Sequence, residues 1–447
     1  MKRPEYFPLF PFLKYLTPTH YFHLRPKVDH GYFPTAEQLE KAGWKLEPDT
    51  RFRSVEAQLR DLGWRALHSG FINPRGVSGQ DVWTPVNLPV RDQYLFLRKN
   101  FHSIWILYVL LVRLLSFKDP IREISGYLGT RGTRRERFSA DTSLPSGFDQ
   151  AVDLIQAKTR VTVIIPTLNR YSYLKDALED LEKQTYREFE VVVVDQSEPF
   201  DLEFYKDFDL DIRPIHQEEK ALWLARNRGI QEAKYDIVAF TEDDVRLPKT
   251  WLEDHLKCLD HFDSDISSGV FYPTGSSVPN ERNFFKYAEQ FATGNVVLFK
   301  RVFEENGLYD RTFERQRMGD GEYGLRSYLA GYRSIANPRA CCEDVKAPVG
   351  GLRQMGSWDA FRPKKFWSPR PIPSVIYFFR KYFGAVVTRW ALLKNIPPSI
   401  MPYQFKRSKP AMLVGGLISV LLLPIVLYQV FWSWKIANRM LGNNTGK

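Results

Sequence analysis

Two uninterrupted apolar runs, VTVIIP (Val161 to Pro166) and FEVVVVD (Phe189 to Asp195), flank a stretch with Leu174, Ala177, Leu178 and Leu181 on one helical face. Continuous β-branched runs of this kind suit strands covered on both faces of a parallel sheet. Strand, helix and strand make a right-handed crossover, so both strands end on one edge of the sheet, where such sheets bind ligands. A further helical stretch with Leu222, Ala225, Ile230 and Ala233 leads into DIVAFT (Asp236 to Thr241), which runs straight into Glu242, Asp243 and Asp244. Three consecutive carboxylates repel one another unless a cation sits among them. A hard divalent ion that also takes phosphate oxygens is one reading; a solvated turn, or Asp244 capping the helix from Pro248 to Leu259, is the other. Lys220, Arg226 and Arg228 precede the same strand and suit phosphate, or else occupy an exposed helix face.

The length of 447 residues with 44% hydrophobic content supports one large or two ordinary domains and excludes a disordered chain. The net charge of +11 suggests nucleic acid only until it is divided. Lys and Arg outnumber Asp and Glu by 22 to 15 in residues 1–150, fall behind by 27 to 37 in 151–360, and stand at 14 to none in 361–447. An acidic middle between basic flanks argues against a nucleic-acid partner, and a tail without acids suits an anionic surface. Three cysteines are too few for a disulfide scaffold, and Cys341 and Cys342 find no further thiol or histidine pair at zinc-ligand spacing. The eight histidines likewise form no cluster at that spacing. The start, MKRPEYFPLFPFLKYL, is interrupted by Lys14 and three prolines, so no cleaved export signal is expected. Residues 1–150 are rich in aromatics, Pro and Arg and reveal no role; RGTRRER (Arg131 to Arg137) reads as a linker or loop.

In this order and spacing, VTVIIPTLNR, VVVVDQS, LARNRGI and DIVAFTEDD resemble the inverting family 2 glycosyltransferases, over roughly residues 158–355. The resemblance implies an α/β, GT-A type (Rossmann-like) domain that binds a nucleotide sugar. It implies that Pro166, Thr167 and Asp195 line the nucleoside pocket, that Arg226 and Asn227 lie near the donor, and that Glu242-Asp243-Asp244 stands at the acidic metal motif with Asp244 as direct ligand. Glu242 departs from the commoner aspartate. Within MGDGEYGLRSYLAGYR (Met318 to Arg333), sugar transfer to a hydroxyl needs a carboxylate to take the acceptor proton. Asp320 and Glu322 are the candidates, with Asp320 as a mere helix cap the bland reading. The stretch is similar to the family's acceptor-site motif, which puts Asp320 on the catalytic base, Glu322 in reserve and Gly319 in place of a commoner acid. In NPRACCEDVKAPVGGLR (Asn337 to Arg353), Asp344 stands where relatives often have a metal-binding histidine. It can ligate Mg²⁺ or Mn²⁺, or only pair with Lys346.

The tail holds 24 uncharged residues from Ala411 to Trp434, flanked by Lys and Arg on both sides. That length can cross a bilayer, and Pro424 within it opens the alternative of a kink or re-entrant turn. Ser374 to Lys394 has the composition of a helix in the headgroup layer, and Ser103 to Val112 that of a core or interfacial helix. The organisation expected is therefore a basic N-terminal region (1–150), a glycosyltransferase domain (151–360) and a membrane-associated helical tail (361–447). The function expected is a metal-assisted inverting transfer from a nucleotide-sugar donor to a glycan or lipid-linked acceptor at the cytoplasmic face of a membrane. Gln354 to Trp358 approaches the signature of processive relatives, but Ser357 stands where the arginine belongs, and one apolar segment is too little for a secretion channel. The second reading is a catalytically silent nucleotide-binding or scaffold protein.

Overall fold

A computed structural model describes residues 3–136, 140, 142–347, 360–363, 365–401, 405 and 409–444. The N-terminal region forms α1 (Leu13–Leu16), α2 (Ala36–Lys41), α3 (Val55–Ser69), α4 (Val90–Asn100), α5 (Ser103–Leu115) and α6 (Pro120–Leu128), and α7 (Asp153–Gln156) precedes the sheet. The crossover then runs through β1 (Val161–Thr167), α8 (Tyr171–Glu182) and β2 (Phe189–Asp195). It continues through β3 (Ile212–His216), α9 (Leu222–Glu232), β4 (Ile237–Thr241), β5 (Val245–Arg246) and α10 (Trp251–His261). The second half holds β6 (Ile266–Pro273), β7 (Lys286–Tyr287), β8 (Asn295–Phe299), α11 (Arg301–Asn306), α12 (Gly319–Ala330) and β9 (Ser334–Asp344). The strands form one mixed sheet in the order β3-β2-β1-β4-β8-β6-β9-β5, with β7 against β9.

β1, β2 and β4 are buried at every residue, as the runs of valine and isoleucine require. β1 pairs in parallel with β2 and β4, and Thr167 lies opposite Asp195, so all three strands deliver their last residues to one edge. On one face Val163, Ile165, Val191 and Val193 pack on α8 and α10 through Leu174, Leu178 and Trp251. On the other face Ile164, Val238 and Phe240 belong to a core that also contains Phe22, Tyr32 and Trp64 from the N-terminal region.

The N-terminal region therefore shares a core with the sheet instead of standing apart. The Tyr32 ring meets those of Tyr287 at 4.7 Å and Tyr328 at 5.2 Å. Tyr328 donates its hydroxyl to the Leu24 carbonyl (2.9 Å), Tyr287 to that of His30 (2.8 Å), and Arg333 reaches the Asn73 carbonyl. The aromatic richness of this segment is the material of that seam.

After β9 come α13 (Pro373–Tyr382), α14 (Gly384–Ile400), α15 (Lys409–Leu421) and α16 (Leu423–Asn444). The headgroup expectation for Ser374 to Lys394 fails over its first half. Val375, Ile376, Tyr377, Phe378 and Phe379 are buried, because α13 packs on α14 and α16 while Tyr377 meets the Phe313 ring and Tyr382 reaches Glu322 on α12. Among the described residues no single helix is long and apolar enough to cross a membrane. The apolar tail segment is instead a bent pair, Val414–Leu421 and Leu423–Gly442, at 57°. Gln354 to Trp358 lies outside the described residues.

One buried polar network ties the middle of the sheet together. The Asn295 carbonyl accepts from the Trp251 indole (2.8 Å) and lies 3.0 Å from His255 Nε2, while its amide donates to the carbonyls of Ala340 (2.8 Å) and Val270 (3.2 Å). Burial holds the His255 imidazole neutral by pushing its pKa down to about 4. Asn295→Ala strands several buried groups at once, which costs on the order of 3 kcal/mol; urea unfolding of the full chain measures it, and a change under about 1 kcal/mol contradicts this account.

Candidate active site

At the carboxyl edge the acidic triplet is held by two arginines. Arg170, the residue before α8, donates to Asp243 (2.9 Å) and stands 3.1 Å from Asp244. Arg226 on α9 donates to Glu242 at 3.0 Å while its guanidinium lies 5.0 Å from the centre of the Trp223 ring. Thr167 at the end of β1 donates its hydroxyl to the second oxygen of Asp243 (2.7 Å). Burial raises Asp243 to about 6, with Arg170 opposing and the Asp244 charge adding to it. Glu242 keeps a side chain 42% exposed to the cleft. Its carboxyl is nevertheless held above the usual range, first by desolvation at the cleft floor, with Arg226 opposing and Asp244, Asp243 and Asp320 adding to it.

The base candidate joins this edge through one short segment. Thr293, in the loop between β7 and β8, donates its hydroxyl to the Asp320 carboxylate at the start of α12. The next residue, Gly294, has no Cβ because one would stand 2.5 Å from Glu242 Cγ. The longer arm of Glu242 thus has its accommodation opposite. Gly319 is explained in the same way: a Cβ there would lie 2.1 Å from Trp223 Cζ2. The indole that stacks on Arg226 occupies the space an acid side chain would need.

Asp195 is fully buried at the end of β2, and its carboxylate is taken by the hydroxyls of Tyr171 and Tyr205 (both 2.7 Å) and the Ser197 amide (2.8 Å). It shapes the edge through those tyrosines. Pro166 and Thr167 lie beside Val194 and Asp195. Lys220, on the loop before α9, pairs with Glu198 at 2.9 Å. Two expectations need correction. Asn227 is a structural clip, its amide donating to the Tyr309 carbonyl (3.0 Å) and its oxygen accepting from the Tyr309 amide (2.9 Å). Glu322 is no spare base, since its side chain is 1% exposed and is held by Lys381 (2.9 Å), Tyr382 (2.5 Å) and Arg326 (3.3 Å).

Asp344 ends β9 directly opposite Val245, one residue beyond Asp244. The segment behind it is stitched to the triplet, with the Val345 amide donating to the Asp244 carbonyl and the Ala347 amide to the Asp244 carboxylate, both at 3.1 Å. Asp344 itself accepts from the Lys346 amide (3.1 Å), and the Lys346 ammonium stands 3.9 Å away. Among the described residues the cleft carboxylates do not form a three-donor cluster. Mg²⁺ and Mn²⁺ need only one or two carboxylates when phosphate and water supply the rest, so the donor set fits such an ion.

The parallel part of the mixed sheet, β3-β2-β1-β4, thus gathers acids and paired arginines at its carboxyl edge, with one further carboxylate, Asp320, fastened beside them. Residues 162–318, about a third of the chain, match the model of glycosyl transferase family 2. It is similar to glycosyltransferase GlyA of Streptococcus pneumoniae serotype 4 (29% identity over 38% of this chain and 27% of that protein). It is also similar to glycosyltransferase AglE of Haloferax volcanii (29% identity over 43% of this chain and 69% of that protein). A crystal structure of Staphylococcus aureus TarS 1–349 in complex with UDP-GlcNAc aligns over 58% of this chain and 79% of that one, with 18% identity and a TM-score of 0.44. The chain spans about a quarter of the S. pneumoniae relative's length.

The contact of Gly319 with Trp223 gives a paired test. Gly319→Ala alone overpacks the site and costs about 1–3 kcal/mol. Adding Trp223→Leu recovers at least half of that loss in a double-mutant unfolding cycle, and strictly additive losses contradict the coupling.

Proposed function

We propose that the chain is an inverting, GT-A type glycosyltransferase that moves a sugar from a nucleoside-diphosphate donor to a hydroxyl of a lipid-linked or cell-surface glycan. The observation that carries this reading is the Thr293-Gly294 pair, which fastens Asp320 and makes room for Glu242. Acid motif and candidate base therefore share one edge of the sheet.

In this reading the donor lies across the ends of β1, β2 and β4, with Thr167, Lys220 and Arg226 on its nucleoside and phosphate groups. Asp244 and Asp344 would hold Mg²⁺ or Mn²⁺, which supplies charge neutralisation for the departing diphosphate. Asp320 takes the proton of the acceptor hydroxyl. That oxygen forms its bond to the anomeric carbon from the face opposite the diphosphate, whose oxygen leaves with the bonding pair, and configuration inverts. Thr293 keeps the Asp320 carboxylate aimed, and the Arg226–Trp223 stack keeps the wall beside it closed. A second reading, a silent nucleotide-binding scaffold, draws support from Arg170, which already compensates Asp243 and Asp244 without any metal.

The two readings part in a donor screen. With Mn²⁺, one family of nucleotide sugars raises the melting temperature of the wild-type chain, and Asp244→Ala removes the shift. Asp320→Asn keeps the shift and lowers kcat by about 10²–10⁴, the usual share of a general base. Donor binding without transfer or hydrolysis in the wild-type chain selects the scaffold.

The same reading has the enzyme at a membrane surface, on the cytoplasmic side where nucleotide sugars are made. The α5–α6 hairpin supports it. Arg113 and Glu123 lock the two helices together, and Tyr94 bonds the same carboxylate (2.8 Å). Outside this lock, Leu111, Leu115, Phe117, Ile121 and Leu128 are exposed, Phe117 by 97%, beside Lys118 and the exposed Arg122. On α16, Leu427 and Phe431 face outward while Val426, Ser433 and Ala437 are buried. Such faces suit helices lying in an anionic interface. The full chain is expected to sediment with vesicles containing anionic lipid, and Leu115→Ser with Phe117→Ser to weaken this several-fold; equal binding to neutral and anionic vesicles contradicts the electrostatic part.

A further inference from the structure

Apart from the acidic triplet, three side chains from three separate elements converge. His20 lies in the turn before Tyr21, His68 in the last turn of α3, and Glu289 in the loop after β7. One donor atom from each lies within 4.8 Å of the other two, the one such trio of Cys, His, Asp or Glu among the described residues. Sequence spacing gave no sign of it, because the fold and not the motif brings these residues together.

The imidazoles are set up as ligands. His68 Nδ1 is 2.9 Å from the Trp64 carbonyl, which can only accept, so the proton sits on Nδ1 and Nε2 presents its lone pair. Its ring is stacked on the Trp64 indole at 4.0 Å. A metal-binding histidine is oriented by this kind of bond from its other nitrogen to a backbone carbonyl. His20 Nε2 stands 3.8 Å from Glu289 Oε1, too far for a hydrogen bond. Its Nδ1 is buried without a hydrogen-bond partner.

A tetrahedral ion with bonds of about 2.0–2.2 Å spaces its ligands roughly 3.3–3.6 Å apart. Closing the trio therefore asks for side-chain shifts of about an ångström or less. Two neutral imidazoles and one carboxylate are the ligand type of Zn²⁺, with the fourth position left to water. The three side chains are each only partly buried, which gives the ion a way in. Lys286 acts electrostatically on Glu289 and on both histidines.

We infer that His20, His68 and Glu289 form a Zn²⁺ site that staples the N-terminal region to the catalytic domain. The staple lies behind the acceptor side of the cleft. Tyr21, next to His20, donates its hydroxyl to the Gly321 carbonyl at 2.5 Å, one residue after the candidate base. Glu289 is in the loop that carries Thr293, the holder of Asp320. The site is independent of the glycosyltransferase reading and of the ion proposed for the cleft.

The test uses the full chain carrying Asp244→Ala, stripped with chelator, with Co²⁺ and Zn²⁺ as probes. One equivalent of Co²⁺ gives the intense visible bands of tetrahedral coordination, Zn²⁺ quenches them, and Zn²⁺ raises the melting temperature. His68→Gln and Glu289→Gln, each added to that background, weaken Zn²⁺ binding more than tenfold while leaving the metal-free melting temperature in place. Where the histidine variant fails to fold, the glutamine at 289 decides alone. No tetrahedral Co²⁺ spectrum, or Zn²⁺ affinity unchanged by Glu289→Gln, overturns the site.

Discussion

Three adjacent carboxylates at the end of a buried strand can stay together only if positive charge is built in beside them. At about 4 Å each like-charge contact costs about 4 kcal/mol at an effective dielectric near 20, more than a marginally stable domain tolerates several times over. Arg170 and Arg226 supply the compensation, and much of the cleft is arranged around them. Arg170 ties the start of α8 to the end of β4. Arg226 lies over Trp223, Trp223 leaves room only for glycine at 319, and Gly319 opens the helix whose second residue is Asp320. A charge problem on one strand thus dictates the shape of the wall beside Asp320.

The crossover, its buried strands and the edge at which they end were legible in the sequence because each rests on local patterning. VTVIIP and FEVVVVD leave no solvent face, and the helix between them has one apolar stripe. The acids at 242–244 and Asp320 were legible for the same reason, being short motifs at element ends. Partners set by tertiary contact were not. Arg170 stood in the motif TLNR without a sign that it points to Asp243, and Thr293 carries no local signature at all. The resemblance of LARNRGI places Asn227 near the donor, yet its side chain is engaged by the Tyr309 backbone, a partner set by tertiary contact. Glu322 paired with Arg326 is a spacing that helix geometry reveals; its bonds to Lys381 and Tyr382 come from a helix whose composition suits the headgroup layer.

The regions outside the matched family domain do more than flank it. The aromatic N-terminal segment completes one face of the sheet's core, which is why its composition looked unlike a linker. The segment rich in Phe, Tyr and basic residues after residue 370 is divided between two tasks. α13 turns its aromatic face inward and packs on α14 and α16, while exposed apolar residues fall on α14, α15 and α16.

The Lys381 and Tyr382 bonds to Glu322 bear on how freely such a chain can exchange parts. A carboxylate buried to 1% loses on the order of 3–5 kcal/mol of stability when its partner is removed. A recombinant that kept α12 and took its tail from a chain lacking this lysine would inherit a poorly compensated buried charge two residues from Asp320. The smallest piece of chain that keeps this carboxylate compensated therefore runs through α13 and does not stop at the last residue of the sheet.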